Sequence, residues 1–429
     1  MNPSLLQVIV SMLAGIAVII LLTTRFRLPA FFAILIACFM TGLGVQMSLP
    51  GIITVSKTGF GNIMQSLGFI IVLGTLLGLL LEHTGCTKVM AAYILKKTGE
   101  KNASFAISLT GFIVGLPVFC DSGYIVLSGL NKSMIRRTRI SPVTMSVSLA
   151  SGLYVVHCMI PPHPGAAAAA GTIGVDFGKL ILYGILISFP VMLMGHWWAG
   201  YAGKKIKYSV MQEEDSVEET GVQPGVTQSF LPVIVPIVLI TLRSLFINHP
   251  LASEGWMKNL LALGDSVIAL LIGVLLAITT KRDWNKASIN KLLHGSLEKA
   301  GTILLIIGAG GAFGAILAST DIGHHFAAMT FLKSIGIFFP FLLTFVLKTA
   351  QGSSTVAIIT AASIVLPLLP ALGLDTENGK LLCVLAMGAG SMMISHANDA
   401  YFWVISKFSG IDMKAMLKVY STATIIMGM

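Results

Sequence analysis

The chain has little charge. Of its 429 residues only 11% are Asp, Glu, Lys or Arg, while 55% are hydrophobic, and roughly 25% charged residues is usual in a soluble domain. Mean hydropathy is +0.87. An ordinary water-soluble globule is excluded, because so few charges cannot cover its surface. Cysteine is also scarce: Cys38, Cys86, Cys120, Cys158 and Cys383 are odd in number, scattered and mostly inside apolar runs. They read as small buried hydrophobes, not as a disulfide framework. The start of the chain lacks a basic n-region and a small-residue cleavage site, so the first apolar run is expected to remain as a span.

What is abundant is apolar sequence. Runs long enough for a ~30 Å hydrocarbon core lie near residues 5–23, 28–47, 66–82, 143–160, 178–200, 230–247, 260–280, 300–318, 380–396 and 411–429. The expected fold is an all-α polytopic membrane protein with about ten transmembrane helices. The net charge of +10 does not argue for nucleic acid, since the basic residues sit in short loops beside apolar runs, as the positive-inside rule requires. No nucleic-acid partner is expected.

Charge also orients the chain. Arg25 and Arg27 place the loop after the first span in the cytoplasm and the N-terminus outside. Two further basic clusters, Lys88, Lys96, Lys97 and Lys101, then Lys132, Arg136, Arg137 and Arg139, both call for the cytoplasm. A single helix between them would put one cluster outside, so residues 102–131 are expected to form a re-entrant hairpin. Arms of about 12 residues reach roughly 18 Å, a little past the middle of the core. The turn holds Gly115, Pro117, Asp121, Ser122 and Gly123. Gly and Pro break the helix there, while Asp and Ser offer polar atoms to the open backbone ends.

Residues 204–229, with Glu213, Glu214, Asp215, Glu218 and Glu219, read as a cytoplasmic linker. Five spans precede it, so a second copy of the unit must enter the membrane upside down. Residues 1–203 and 230–429 are the expected inverted repeats. Gly74 and Gly78 in the third span match Gly310 and Gly314 in the eighth, where small-xxx-small spacing favours close helix packing. The second hairpin, 335–370, should enter from outside, with Lys348 to Ala357 (KTAQGSSTVA) at its tip. Irregular polar backbone at membrane depth survives only against protein or a cavity. Paired breaks in inverted repeats point to one shared site in a secondary transporter.

Each hairpin is followed by a broken span. In the first, Pro161, Pro162 and Pro164 cannot continue a helix; in the second, His396, Asn398 and Asp399 interrupt the apolar run. The helix N-termini so created suit an anion. Asp121 and Asp399 matter most, because a carboxylate near the bilayer centre costs about 2.5–3.5 kcal/mol and is functional by default. The competing reading is a carboxylate that only caps a helix. Gln351, Ser353, Ser354 and Thr355 form a dense run of donors and acceptors fit for a polyhydroxylated ligand. Lys348 either snorkels outward or contacts substrate. Glu82 reads as interfacial, and His324 and His325 as solvent-facing. His157, His163 and Cys158 lack the further ligands of a metal site, so no metal or cofactor is expected.

The motifs GFIVGLPVFCDSGY, SGLYVVHCMIPPHPGA, KTAQGSSTVA and SHANDAYFW together resemble the gluconate permease (GntP) family of bacterial inner-membrane proton symporters. The resemblance spans nearly the whole chain. It implies a multi-pass inner-membrane symporter that brings in a sugar acid, such as gluconate or another aldonate, with protons; some members carry D-serine. The family is similar to a wider ion-transporter superfamily whose carriers pair two re-entrant hairpins and move by an elevator mechanism. The implied substrate site is Asp121, Ser122 and Gly123, Gln351, Ser353, Ser354 and Thr355, with His157, Asn398 and Asp399 at the breaks. Proton coupling falls to Asp121 first, then Asp399, then His157. Gluconate-type members are expected to carry Glu-Val-Gly at the first tip, and the Asp-Ser-Gly found here leaves the choice of acid open.

The alternatives are a sodium-coupled carboxylate carrier of the same architecture, with Na⁺ held around Ser353 to Thr355 and Asn398, and a D-serine-type proton symporter. An intramembrane enzyme is not expected, since no oriented nucleophile, base and orienter are present. The expected partners are the small acid, protons and the bilayer; a homodimer stays open.

Overall fold

The computed structural model describes residues 4–99, 102–138, 140–206, 223–247, 255–281, 283–320 and 330–429, without the side chains of residues 256 and 330–332. Lys101, Arg139, His324, His325 and the acidic residues of the expected linker lie outside them. The described residues are all-helical. In order come α1 (Leu5–Thr24), α2 (Ala30–Gly44), α3 (Leu49–His83), α4 (Cys86–Thr98), α5 (Ala103–Gly115), α6 (Cys120–Thr138), α7 (Pro142–Met159) and α8 (Pro164–Ile173). Next are α9 (Phe177–Gly203), α10 (Val226–Phe246), α11 (Gly255–Leu263), α12 (Ser266–Thr279) and α13 (Lys286–Ser319). The chain continues with α14 (Thr330–Ile335), α15 (Phe338–Gln351), α16 (Ser354–Val365), α17 (Leu369–Leu372), α18 (Glu377–Met392), α19 (Ala400–Ser409), α20 (Met413–Met416) and α21 (Thr422–Gly428).

Among the described residues seven helices are long and apolar enough to cross a membrane, or eight if the pair around α11 and α12, bent by 66°, is one span. The count falls below ten for local reasons. α2 has 15 residues and α18 has 16, less than a core of ~30 Å needs at 1.5 Å per residue. The last expected span is divided into α20, a π-turn at Leu417–Ser421 and α21. α3 is longer than its apolar run: 35 residues, beginning at Leu49.

Both polar segments lie between two helices. The first pair is α5, of 13 residues, and α6, of 19; the second is α15, of 14, and α16, of 12. The arms near 12 residues were expected, but α6 runs further because its second half is amphipathic and ends in Arg136 and Arg137.

The chain forms two compact units. The first contains residues 1–71, 164–176 and 300–391, and the second residues 72–163, 177–299 and 392–429. Each draws on both halves of the sequence. In the second unit α7 is the centre: its residues are buried on every face, apart from the partly exposed Pro142 and His157. α5 lies against it almost backbone to backbone. A Cβ on Gly111 would stand 2.6 Å from the Leu149 carbonyl oxygen, and one on Gly152 would collide with the Ser108 carbonyl. In the first unit α8 and α13 flank α16, with Gly310 against Ile359 at 2.6 Å and Gly165 against Ile358 at 3.0 Å from a notional Cβ. Water gives no hydrophobic drive between helices inside a bilayer, so such close approach is how they cohere.

Candidate functional site

The first tip belongs to the second unit. α5 stops at Gly115, Pro117 bars its continuation, and α6 starts at Cys120 with Asp121 in its first turn. Helix N-termini favour a carboxylate at this position through the dipole. The Asp121 Oδ1 lies 3.7 Å from the Cys120 Sγ. Asp121 follows Cys120, the first residue of α6, and so is not the cap of its helix.

The break after α7 stands beside this tip. His163 Nε2 lies 2.6 Å from the Gly115 carbonyl oxygen, so Nε2 carries the hydrogen and donates it. The otherwise orphaned carbonyl at the end of α5 is thereby satisfied. The His157 and His163 rings are 5.0 Å apart, and Phe119 packs on them at 6.4 and 6.1 Å. His163 thus serves the broken backbone directly.

The second break also lies in this unit, between α18 and α19. Ile394 has φ 47°, a left-handed conformation that a β-branched residue seldom adopts. The segment after it is pinned from three sides. The Ser395 N–H donates to Thr424 Oγ1 at 3.0 Å, the Ser421 hydroxyl donates to the Ser395 carbonyl, and the Ser395 hydroxyl donates to Asp399 Oδ2. Asp399 Oδ1 accepts from the Tyr401 N–H at 3.0 Å, which makes Asp399 the N-cap of α19. The capping role weighed for both acids thus belongs to Asp399. Asn398 is exposed beside it.

A cluster of tyrosines adjoins the first tip and the second break: Tyr401 packs on Tyr124, Tyr154 and Tyr420 at centroid distances of 6.1, 5.6 and 6.1 Å. The Tyr401 hydroxyl also donates to the Ala150 carbonyl at 3.3 Å. Sequence reasoning passed over these residues. The available signal was position, since three of the chain's eight tyrosines fall within the polar motifs, at residues 124, 154 and 401.

The second tip belongs to the first unit. Gly352 ends α15 at φ 83°, a conformation open to glycine at little cost, and Ser353 caps α16 by accepting from the Val356 N–H at 3.2 Å. Ser354 is buried and Thr355 partly so. Both polar atoms of the Gln351 side chain are buried without a protein partner. Lys348, expected to snorkel or to bind, is wholly buried in the last turn of α15. Snorkelling is therefore overturned, because the side chain is enclosed by protein and not directed along an exposed face. The predicted residues fall into two sets: Asp121, Ser122, Gly123, His157, Asn398 and Asp399 in the second unit, and Gln351, Ser353, Ser354 and Thr355 in the first.

Long apolar helices interrupted by buried polar turns mark a multi-pass membrane protein. The chain belongs to the GntP family of permeases, whose model, described as GntP family permease, matches residues 7–429. It is 32% identical over 422 residues to the gluconate permease of Pseudomonas aeruginosa, spanning 95% of this chain and 92% of the relative. It is 28% identical over 431 residues to the D-serine transporter DsdX of Escherichia coli O6:H1, spanning 99% and 96%. Its fold resembles that of the Alcanivorax borkumensis YdaH transporter with a TM-score of 0.64 at 14% identity, covering 89% of this chain and 87% of that one.

Proposed function

We propose that the protein is a proton-coupled symporter that takes up a sugar acid, such as gluconate or another aldonate, across the bacterial inner membrane. The family and the relative named gluconate permease support the substrate class, and an all-helical span set suits the inner membrane, since outer-membrane proteins are barrels. The observation that carries the coupling is the unequal use of two acids: Asp399 caps α19, whereas Asp121 stands in the first turn of α6 with its Oδ1 3.7 Å from the Cys120 Sγ. Asp121 is the proton carrier, with Asp399 and His157 behind it. An anionic substrate and an ionised carboxylate repel strongly in a low dielectric, so the anion binds with a proton. By reciprocity the proton tightens the anion by the same factor.

Ser122, Gly123, Asn398, Gln351, Ser353, Ser354 and Thr355 supply donors and acceptors suited to hydroxyls and a carboxylate. In this reading residues 1–203 and 230–429 are inverted repeats, with the α5–α6 pair re-entering from the cytoplasm, the α15–α16 pair from outside, and the N-terminus outside. The D-serine relative, matched over 99% of this chain, favours a D-amino acid as the second reading.

The test is uptake into proteoliposomes. The expected result is gluconate accumulation driven by an inward proton gradient, unchanged when choline replaces sodium and lost in Asp121→Asn. Retained proton-driven accumulation in Asp121→Asn would remove Asp121 from the mechanism. Competition by aldonates, hexuronates and D-amino acids decides the substrate class, and a D-amino acid that alone competes turns the assignment to the second reading.

A further inference from the structure

The break between α18 and α19 is held by the last turns of the chain. Ser395 is wholly buried and follows Ile394 in its left-handed conformation, outside either helix. Its backbone N–H and C=O therefore need partners from elsewhere. Two side chains supply both: Thr424 Oγ1 accepts from the Ser395 N–H at 3.0 Å, and the Ser421 hydroxyl donates to the Ser395 carbonyl. Ser421 and Thr424 are three residues apart, neighbours on one helix face, and both are buried.

The π-turn at Leu417–Ser421 aims that face. Such a turn inserts one residue, which rotates everything after it by about 100° relative to the helix before it, and it is frequent at functional sites. Hydroxyls tie it down: Thr422 donates to the Lys418 carbonyl at 2.7 Å, Thr424 donates to the Ser421 carbonyl at 2.8 Å, and Trp198 Nε1 of α9 donates to Thr422 Oγ1 at 2.7 Å. The other end of the break is closed as well. The Asp399 N–H donates to the His396 carbonyl at 2.8 Å, and the Asp399 carboxylate accepts from the Ser395 hydroxyl and the Tyr401 N–H. The turn from Ser395 to Asp399 is thus pinned at both ends, and Asn398 is its exposed residue.

We propose that Ser421 and Thr424 are positioning residues for substrate binding: by holding Ser395 through its backbone they fix where Asn398 and the Asp399 carboxylate stand. The proposal rests on the function proposed above, which sets Asn398 and Asp399 at the sugar acid. Both hydroxyls are engaged with backbone, so they act through the turn and not on the ligand. A turn with loose ends would present Asn398 in many orientations, and ordering it at the moment of binding would weaken affinity. The clamp orders it beforehand. Its effect falls on substrate binding and not on the rate of the loaded carrier.

The experiment reads two quantities on Thr424→Val, which keeps the shape and removes the acceptor, and on Thr424→Ser, which keeps the hydroxyl. Amide hydrogen exchange over residues 394–401, measured on the purified protein in detergent, is expected to be about tenfold faster in Thr424→Val and near wild type in Thr424→Ser. The KM for gluconate in proteoliposomes is expected to rise about tenfold or more in Thr424→Val, with the maximal rate per folded carrier within about twofold of wild type, and to return in Thr424→Ser. Unchanged exchange overturns the clamp. Faster exchange with an unchanged KM overturns the positioning role, as does a fall in maximal rate alone, the mark of a merely structural contact. If Thr424→Val does not fold, Ser421→Ala decides by the same two readouts. Wild-type vesicles that take up no gluconate overturn the substrate reading instead, while the exchange measurement, which needs no substrate, still tests the clamp.

Discussion

His163 donates from Nε2 to the Gly115 carbonyl at 2.6 Å, joining the break after α7 to the last residue of α5. The bond satisfies a helix-end carbonyl that has no partner within its own helix, and it fixes the tip relative to the break. His163→Phe fills the same space and leaves that carbonyl unpaired, at a cost of about 1–3 kcal/mol. Thermal unfolding in detergent should show a lower midpoint for His163→Phe than for His163→Gln, whose amide can still donate. Equal midpoints would mean that the contact contributes nothing to the fold.

Gln351 presents the opposite case, with both side-chain polar atoms buried and lacking protein partners. An unsatisfied buried polar group costs about 1–3 kcal/mol, so Gln351→Leu should keep or raise the unfolding midpoint. The same substitution should raise the KM for gluconate about tenfold or more. An unchanged KM would remove Gln351 from the proposed substrate groups.

Asp399 caps α19 through the Tyr401 N–H at 3.0 Å. Replacing an N-cap Asp by Ala costs about 0.5–2 kcal/mol, whereas Asn caps nearly as well. Asp399→Ala should therefore unfold at a lower temperature than Asp399→Asn, which should stay near wild type. If Asp399→Ala matches wild type in the same measurement, the carboxylate is not held for stability.

The glycines of the chain should divide by their surroundings. A Cβ on Gly152 meets the Ser108 carbonyl, while one on Gly61 meets nothing within 4 Å. Gly152→Ala has to push α5 away from α7 and should lower both yield and unfolding temperature. Gly61→Ala should be neutral or gain up to about 1 kcal/mol from reduced backbone freedom in the unfolded chain. The ordering is read by comparing melting profiles of the two variants, and a reversed order would contradict the packing described.

Much of this molecule was legible before its structure. The low charge required a bilayer, and the basic clusters at Lys96 and Arg136 required a break between them, which α5 and α6 supply. Gly115, Pro117 and the Pro161 to Pro164 run marked the breaks because such residues cannot continue a helix. The tyrosines at 124, 154 and 401 were marked only by their place in the polar motifs, and that they pack together is set by tertiary contacts.

Sequence alone determined the class of protein, its apolar helices and the positions of its polar breaks, because all three follow from composition and from residues that forbid helix. Tertiary structure decided how the segment around Asp399 is held. Asp121 and Asp399 are both carboxylates beside helix breaks. Asp399 becomes a cap because Thr424 and Ser421, contributed by the end of the chain, hold Ser395 while the Ser395 hydroxyl and the Tyr401 N–H hold its carboxylate. Ser395 and Tyr401 are near in sequence, but Thr424 and Ser421 are brought there by packing, and no local pattern records them.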